Sequence, residues 1–212
     1  MRTGLVLIGG GGHCRSCLEV LSLDAGRTVL GILDLPGRLG SSVLGCPVIG
    51  TDDDLPALAS QGNEFLVTLG HAGDPGPRRM IFERLQDLGA RVATLVSPLA
   101  HLSAFAQVGP GSVALHHALV NAGAAIGANA ILNTGSLVEH DARIGDHAHV
   151  STRAVVNGGC TVGEGSFLGS GSVISHGVAL GPGILLGAGT VVIRDLLEPG
   201  TYVGCPARRV GR

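Results

Sequence analysis

The stretch Ile126-Gly127-Ala128-Asn129-Ala130-Ile131-Leu132-Asn133-Thr134-Gly135-Ser136-Leu137-Val138-Glu139-His140-Asp141-Ala142-Arg143-Ile144 repeats its own texture every six residues. Aliphatic residues recur at Ile126, Leu132, Val138 and Ile144, and a small residue follows each by four positions: Ala130, Ser136, Ala142 and Ala148. Carried outward, the step runs from Leu102 through Val108, Ala114 and Val120, and on through Val150, Val156, Val162, Leu168, Ile174, Leu180 and Leu186 to Val192. A helix of period 3.6 does not hold that phase. A fixed internal period instead implies stacked coils, each burying its inner face on its neighbours. Three hexapeptides make one triangular turn of about eighteen residues, with the aliphatic residue of each pointing inward. Gly109, Asn121, Gly127, Asn133, Gly145, Asn157 and Gly163 follow the aliphatic position, and the pattern predicts positive φ there, at the corners.

Before about Ser97-Pro98 the texture changes to short apolar runs alternating with amphipathic stretches, the βαβ pattern of an α/β domain. Strands are predicted at Leu5–Ile8, Thr28–Leu33, Val48-Ile49, Glu64–Leu69 and Arg91–Val96. Helices are predicted at Cys14–Leu23, from Asp52-Asp53-Asp54 through Leu58, and at Arg78–Leu88. This makes a Rossmann-like unit of about four strands. Its first strand runs into Gly9-Gly10-Gly11-Gly12, and such a loop before a helix forms a phosphate cradle of free N–H groups at the positive helix end. Asp34 stands near the distance at which a dinucleotide site places its acidic residue. A domain this small lacks the second mononucleotide half, so one sugar-nucleotide pyrophosphate is the more economical ligand. A tight turn without a ligand is the competing reading.

Composition narrows the function classes. Glycine is abundant at 36 residues and aromatics are scarce, yet the high aliphatic content separates the chain from disordered sequences. All 14 basic residues are arginine and the formal net charge is −2, with no basic run to suggest nucleic acid as a partner. Met1-Arg2-Thr3-Gly4 and the short apolar run after it do not read as a signal peptide, and no stretch is long enough for membrane insertion. Five scattered cysteines form no disulfide framework, so a cytoplasmic location is expected. Cys14 and Cys17 form a lone C-x-x-C that reads as one helix face, and Cys160 falls on an inward slot of the coil.

Residues eighteen apart stack on adjacent rungs, about 4.8 Å apart. One column then holds Ala122, His140, Gly158 and His176, which places an imidazole on either side of a glycine. Asp141 follows His140, and an imidazole beside a carboxylate is a candidate general base. From spacing alone, a solvated surface histidine is the commoner meaning of such a position. The same holds for His116, His117 and His147.

Leu137-Val138-Glu139-His140-Asp141, Ile144-Gly145 and His147-Ala148-His149-Val150-Ser151 together resemble the core motif of one acetyltransferase family. That family comprises the sialic-acid O-acetyltransferases and the bacterial nucleotide-aminosugar N-acetyltransferases. Ile8-Gly9-Gly10-Gly11-Gly12-His13 resembles its N-terminal sugar-nucleotide domain, and Gly187-Ala188-Gly189 and Gly204-Cys205-Pro206-Ala207-Arg208 resemble segments that line its coenzyme A site. The resemblance implies a small Rossmann-like domain over residues 1–97 and a left-handed parallel β-helix with a C-terminal extension over residues 98–212. It implies acetyl-CoA as co-substrate, no metal, and a nucleotide-linked amino sugar as acceptor. His140 matches the base and Asp141 its helper. His149 matches a histidine near the acetyl group and Gly158 a backbone donor, the two steadying the developing oxyanion. Gly187, Ala188, Gly204 and Pro206 fall to the coenzyme, and Gly9, Gly10, Gly11, Gly12, His13 and Asp34 to the acceptor. The family strand often ends in two acidic residues, whereas Leu35 and Pro36 follow Asp34 here, which leaves the nucleoside open. His71 falls near a position where the family often carries Asn or Asp, and it takes no role from the resemblance. A homotrimer is expected, since side-by-side coils would cover the outward face around Val155. Three other readings stay open: sialic acid O-acetylation, a zinc-dependent hydratase with His140, His147, His149 and His176 as ligands across an interface, and a non-catalytic sugar-nucleotide scaffold.

Overall fold

The computed structural model describes residues 3–24 and 26–211; the opening Met1-Arg2 read against a signal peptide lies outside them. The chain divides into two compact units. One is Met1–Gly70 with Gly76–Leu95, and the other is His71–Pro75 with Val96–Arg212.

The first unit is a six-stranded sheet. Strand β1 (Leu5–Ile8) is buried on both faces, as its unbroken aliphatic run requires. It is flanked by β2 (Val29–Leu33) and β5 (Glu64–Val67), both parallel to it. Beyond them lie β4 (Cys46–Gly50) and β6 (Arg91–Val92), and β3 (Ser42–Val43) pairs antiparallel to β4 as a small hairpin. The spatial order β3-β4-β2-β1-β5-β6 makes the five parallel strands a doubly wound sheet whose order reverses between β1 and β5. Each of the five predicted strand runs contributes one parallel strand, so the unit has five where about four were expected. The expected strand Arg91–Val96 is broken: Leu95–Val96 pairs instead into a sheet of the coil.

Helix α1 (Gly12–Ser22) buries Cys14, Cys17, Val20 and Leu21, so the C-x-x-C is core. Burial pushes the Cys14 thiol up to about 11 and the Cys17 thiol up to about 12. Helix α2 (Leu55–Ser60) follows a 3₁₀ turn at Asp52–Asp54, which a reciprocal Thr51–Asp54 capping box starts. Helix α3 (Gly76–Asp87) buries Ile81, Phe82, Leu85 and the cation Arg78. The Arg78 guanidinium donates to the carbonyls of Val67 (2.5 Å) and Leu69 (2.9 Å), just past the end of β5.

The second unit is a parallel β-helix of two-residue strands on three sheets. In register, Leu119, Leu137, Val155, Val173 and Val191 form one outward column. Val113, Ile131, His149, Phe167 and Leu185 form a second. Ala125, Arg143, Thr161 and Ala179 form the third. Every residue of the predicted inward series from Ala114 to Val192 is buried in one continuous core. Beyond Val192 the step fails: Gly200 pairs with Ile184, sixteen residues back, and Arg208–Val210 turns antiparallel on Gly200–Val203 to cover the last edge.

Positive φ does not fall where the sequence pattern placed it. It recurs every sixth residue from Gly111 to Gly189, three positions after the aliphatic residue, and takes in His117, Asn129, Asp141, His147 and Arg153. The glycines one position after the aliphatic residue have another cause. An added Cβ at Gly109, Gly127, Gly145, Gly163 or Gly181 would lie 2.3–2.6 Å from atoms of the next rung.

Candidate active site

His140 and Asp141 follow the strand Leu137–Val138, at a corner of the coil. Asp141 takes φ 60, a conformation Asp tolerates better than most residues, with its N–H bonded to the Ala122 carbonyl one rung below. The turn lets neighbouring side chains meet: His140 Nδ1 lies 2.9 Å from Asp141 Oδ2. A carboxylate only accepts, so Nδ1 carries a proton, and in the neutral ring Nε2 is the acceptor. The ring lies over Gly158, where an added Cβ would sit 2.5 Å from His140 Nε2. The His176 ring is 6.0 Å from that of His140, centroid to centroid, on the far side of the same glycine. Glu139 turns away to accept from Asn121 Nδ2 at 2.7 Å. The predicted column is therefore assembled, with His140 Nε2 facing a cleft that only glycine leaves open.

His149 lies elsewhere. It is on the second sheet and only 6 % exposed. Its Nδ1 is 2.7 Å from the His71 carbonyl, its Nε2 is 3.2 Å from Asn133 Nδ2, and Phe167 packs against it edge-on at 5.1 Å. The contacts of His71, Asn133 and Phe167 with His149 were not foreseen from the sequence. Phe167 is one rung along from His149, so the eighteen-residue step could have found it; His71 was noted only by its place near a family Asn or Asp and was given no role. His147 takes φ 59 and its Nδ1 pairs with Asn129 Nδ2 at 2.9 Å.

Among the expected coenzyme residues, Gly187 receives no Cβ because Val203 Cγ1 would be 2.8 Å away, and its N–H bonds to the Tyr202 carbonyl at 2.8 Å. Ala188 follows it beside Gly169 of the rung below. The Cys205–Pro206 bond is cis, Gly204 takes φ 94, and Gly204 accepts from the Val191 N–H at 3.0 Å. These four residues gather at the end of the coil where the C-terminal segment folds back.

In the α/β unit a cavity of about 400 Å³ opens at the carboxyl ends of the strands, beside the point where strand order reverses. Gly9 and Asp34 line it; Gly10, Gly11, Gly12 and His13 do not. Gly10 is held against Asp34, whose Oδ2 accepts from the Gly10 N–H at 3.2 Å and whose Oδ1 accepts from the Leu35 N–H at 2.9 Å. Gly11 and Gly12 open onto space, with no atom within 4 Å of an added Cβ. Gly11 is the cap of α1 and offers no side-chain cap. Leu35, Pro36, Pro77 and Met80 give the cavity apolar walls, and Asp52 and Asp53 add carboxylates that the sequence reading had assigned only to a helix start. Burial raises the Asp52 carboxyl above the ordinary range.

Among the described residues no three His, Cys, Asp or Glu side chains stand together as ligands for a metal, and no helix is long and apolar enough to cross a membrane. Residues 4–85 match the family model of the PglD N-terminal domain, and residues 141–176 that of the bacterial transferase hexapeptide (six repeats). No curated protein matches the chain by sequence. Among solved structures, PerB of Caulobacter crescentus in complex with CoA and GDP-perosamine is 36 % identical, with TM-score 0.92 over 100 % of this chain and 99 % of that one. A complex of the same composition with a histidine-to-asparagine variant of that perosamine N-acetyltransferase gives TM-score 0.93 at the same identity and coverage. The acetyltransferase domain of PglB from Neisseria gonorrhoeae, in complex with acetyl coenzyme A, is 33 % identical over 97 % of this chain and 98 % of that one, with TM-score 0.90. The hexapeptide repeat makes the coil a left-handed parallel β-helix, as expected. With such identity sustained over the full length of both chains, this chain belongs to the hexapeptide-repeat sugar N-acetyltransferases that carry a PglD-type N-terminal domain.

Proposed function

We propose that the enzyme moves the acetyl group of acetyl-CoA to the amino group of a nucleotide-linked amino sugar, with a GDP-linked sugar as the first candidate because PerB binds GDP-perosamine. The observation that carries this reading is His140 Nε2, facing Gly158, with Nδ1 held by Asp141. Acetyl-CoA supplies the activated acyl group. As the sugar nitrogen bonds to the thioester carbon, Nε2 takes the nitrogen's proton and Asp141 stabilises the imidazolium. The C–S bond then breaks, and the departing CoA sulfur takes that proton from Nε2 to leave as the thiol. The Gly158 N–H, which meets no acceptor among the described residues, is a donor for the carbonyl oxygen as charge gathers there. No acyl-enzyme is required when both substrates are held together. Cys160, the inward cysteine of the coil, is buried and its thiol is raised by that burial, as suits packing.

Gly187, Ala188, Gly204 and Pro206, near the carboxyl end of the coil, are our assignment for coenzyme contacts. The acceptor nucleotide belongs in the α/β cavity. The apolar walls suit a base, the carboxylates suit base N–H or ribose hydroxyl donors, and the open glycine loop at Gly11 and Gly12 suits phosphate. The outward column Leu119, Leu137, Val155, Val173 and Val191 is only half-buried in one chain, which supports a homotrimer of side-by-side coils. Five free cysteines fit a reducing compartment, and we assign the enzyme to the cytoplasm.

The test combines acetyl-CoA with GDP-, UDP- and CMP-linked amino sugars and follows CoA release, with light scattering on the same sample. A trimer that acetylates a GDP-linked amine is expected. His140→Asn should keep the trimer and both affinities and lose about 10²–10⁴-fold in kcat. No CoA release with any amino sugar would refute the activity, near wild-type kcat in His140→Asn would refute the base, and a fully active monomer would refute the assembly.

A further inference from the structure

His71–Pro75 is the one segment of the second unit that comes from before residue 96. It lies on the second sheet: Gly73, at φ 114, packs so close to Leu185 that an added Cβ would be 2.4 Å from its Cδ1. His71 is bound there in both directions. Its ring Nε2 donates to the His147 carbonyl at 3.1 Å, and its own carbonyl accepts from His149 Nδ1 at 2.7 Å. The rings of His71 and His149 meet edge to face at 5.2 Å, and Phe167 lies 6.0 Å from His71. In a chain with only four Phe and one Tyr, this cluster is a local concentration of rings around one histidine.

These contacts determine where the proton of His149 resides. The His71 carbonyl can only accept, so Nδ1 carries hydrogen. Asn133 Oδ1 is occupied by the Thr134 N–H at 2.8 Å, which turns the Asn133 amide NH₂ toward His149. Nε2 must then accept, and the ring is the neutral Nδ1–H tautomer. A ring in that state has no Nε2 proton to give to a thioester oxygen. The sequence reading had His149 and the Gly158 N–H steadying the oxyanion together, and only the second of these is a donor in this arrangement.

We propose that His71 is a positioning residue: its backbone carbonyl and ring fix His149 as the Nδ1–H tautomer, whose one acceptor site, Nε2, exchanges the Asn133 amide for a ligand N–H or O–H when the reactants bind. The inference rests on the acetyl-transfer reading above only for its kinetic consequence. A ring released from this clamp swings away from its place or changes tautomer, and small misplacements at a reacting centre are costly.

The experiment uses the full-length enzyme with ¹⁵N-labelled histidine, its His149 signals assigned by their loss in His149→Asn. Long-range N–H correlation spectra of the wild type should show Nδ1 protonated and Nε2 bare. His71→Ala should mix the two tautomers and lower kcat by roughly ten- to a hundredfold while leaving KM for the acceptor unchanged. His71→Gln, whose side-chain amide can still donate to the His147 carbonyl, should restore most of the rate and the single tautomer. A wild-type spectrum with Nε2 protonated would overturn the inference without using any variant. So would His71→Ala with wild-type kcat and unaltered His149 signals. A wild-type protein that transfers no acetyl group fails the functional reading instead, and leaves the tautomer measurement standing.

Discussion

At one corner of the coil Gly109, Gly127, Gly145, Gly163 and Gly181 stack eighteen residues apart, and a Cβ on any of them would fall 2.3–2.6 Å from the next rung. At the end of β1 the glycines sit differently, because Gly11 and Gly12 have nothing within 4 Å of an added Cβ. Gly11 has φ −77, which any residue adopts. The coil glycines are therefore explained by the fold. Gly11 and Gly12 are not, and a glycine the fold does not require is a better pointer to a ligand than one it does. Gly9 belongs with the first class, since it combines φ 98 with Leu69 Cδ2 at 2.4 Å from an added Cβ.

The strongest way to break this comparison is Gly163→Ala. The three atoms nearest the new methyl, at 2.3–2.5 Å, are all backbone of Gly181 and Pro182, so no rotamer change relieves the clash. Forcing apart two rungs should cost about 3 kcal/mol or more, at the upper end of overpacking effects. Denaturant unfolding would measure it, and a midpoint unchanged from wild type would mean that rung spacing is soft and the glycine column has another origin.

Gly11→Val tests the other class. Stability should move by no more than about 1 kcal/mol, the scale of a lost helix cap. Acceptor affinity should fall by roughly tenfold or more, a loss of about 1.4 kcal/mol, while acetyl-CoA binding holds. Paired titrations of a folded variant decide it. Unchanged acceptor binding would make the loop a plain turn, and loss of acetyl-CoA binding alone would mean the two sites have been exchanged.

The same contrast explains what the sequence disclosed. The inward series was legible because a six-residue period constrains every rung alike, and Ala114 to Val192 are all buried as predicted. The positive-φ positions were misplaced by two residues. His117, Asn129, Asp141, His147 and Arg153 occupy some of them, so glycine did not mark the phase. His140, Gly158 and His176 came together because stacking is arithmetic. The surroundings of His149 were not legible, because the segment that covers it begins at His71 and no periodicity links residues that far apart. Asp52, Asp53, Pro77 and Met80 were missed for a related reason: a cavity at strand ends collects side chains from several elements, each ordinary in its own stretch.

The smallest effect lies at the positive-φ corners. Arg153 is exposed, takes φ 55, and holds its place by a backbone bond from its N–H to the Thr134 carbonyl at 3.0 Å. A non-glycine residue in the left-handed region costs roughly 1–2 kcal/mol. Glycine would remove that strain but give the unfolded chain more freedom, worth about 0.4–1 kcal/mol in the opposite direction. Arg153→Gly should therefore stabilise the protein by roughly 0.5 kcal/mol, the balance of those two terms, and leave kcat unchanged. Asp141 sits at the same phase of the repeat with φ 60 but also holds His140 Nδ1. Asp141→Gly should gain similar stability and lose rate, because the imidazole then has neither its orienting partner nor its counter-charge. Thermal unfolding and kcat measured on both variants separate the two roles of one backbone position. If Asp141→Gly were stabilised with its rate intact, the carboxylate would be no part of the machinery; if Arg153→Gly were destabilised, the left-handed corner would not be strained.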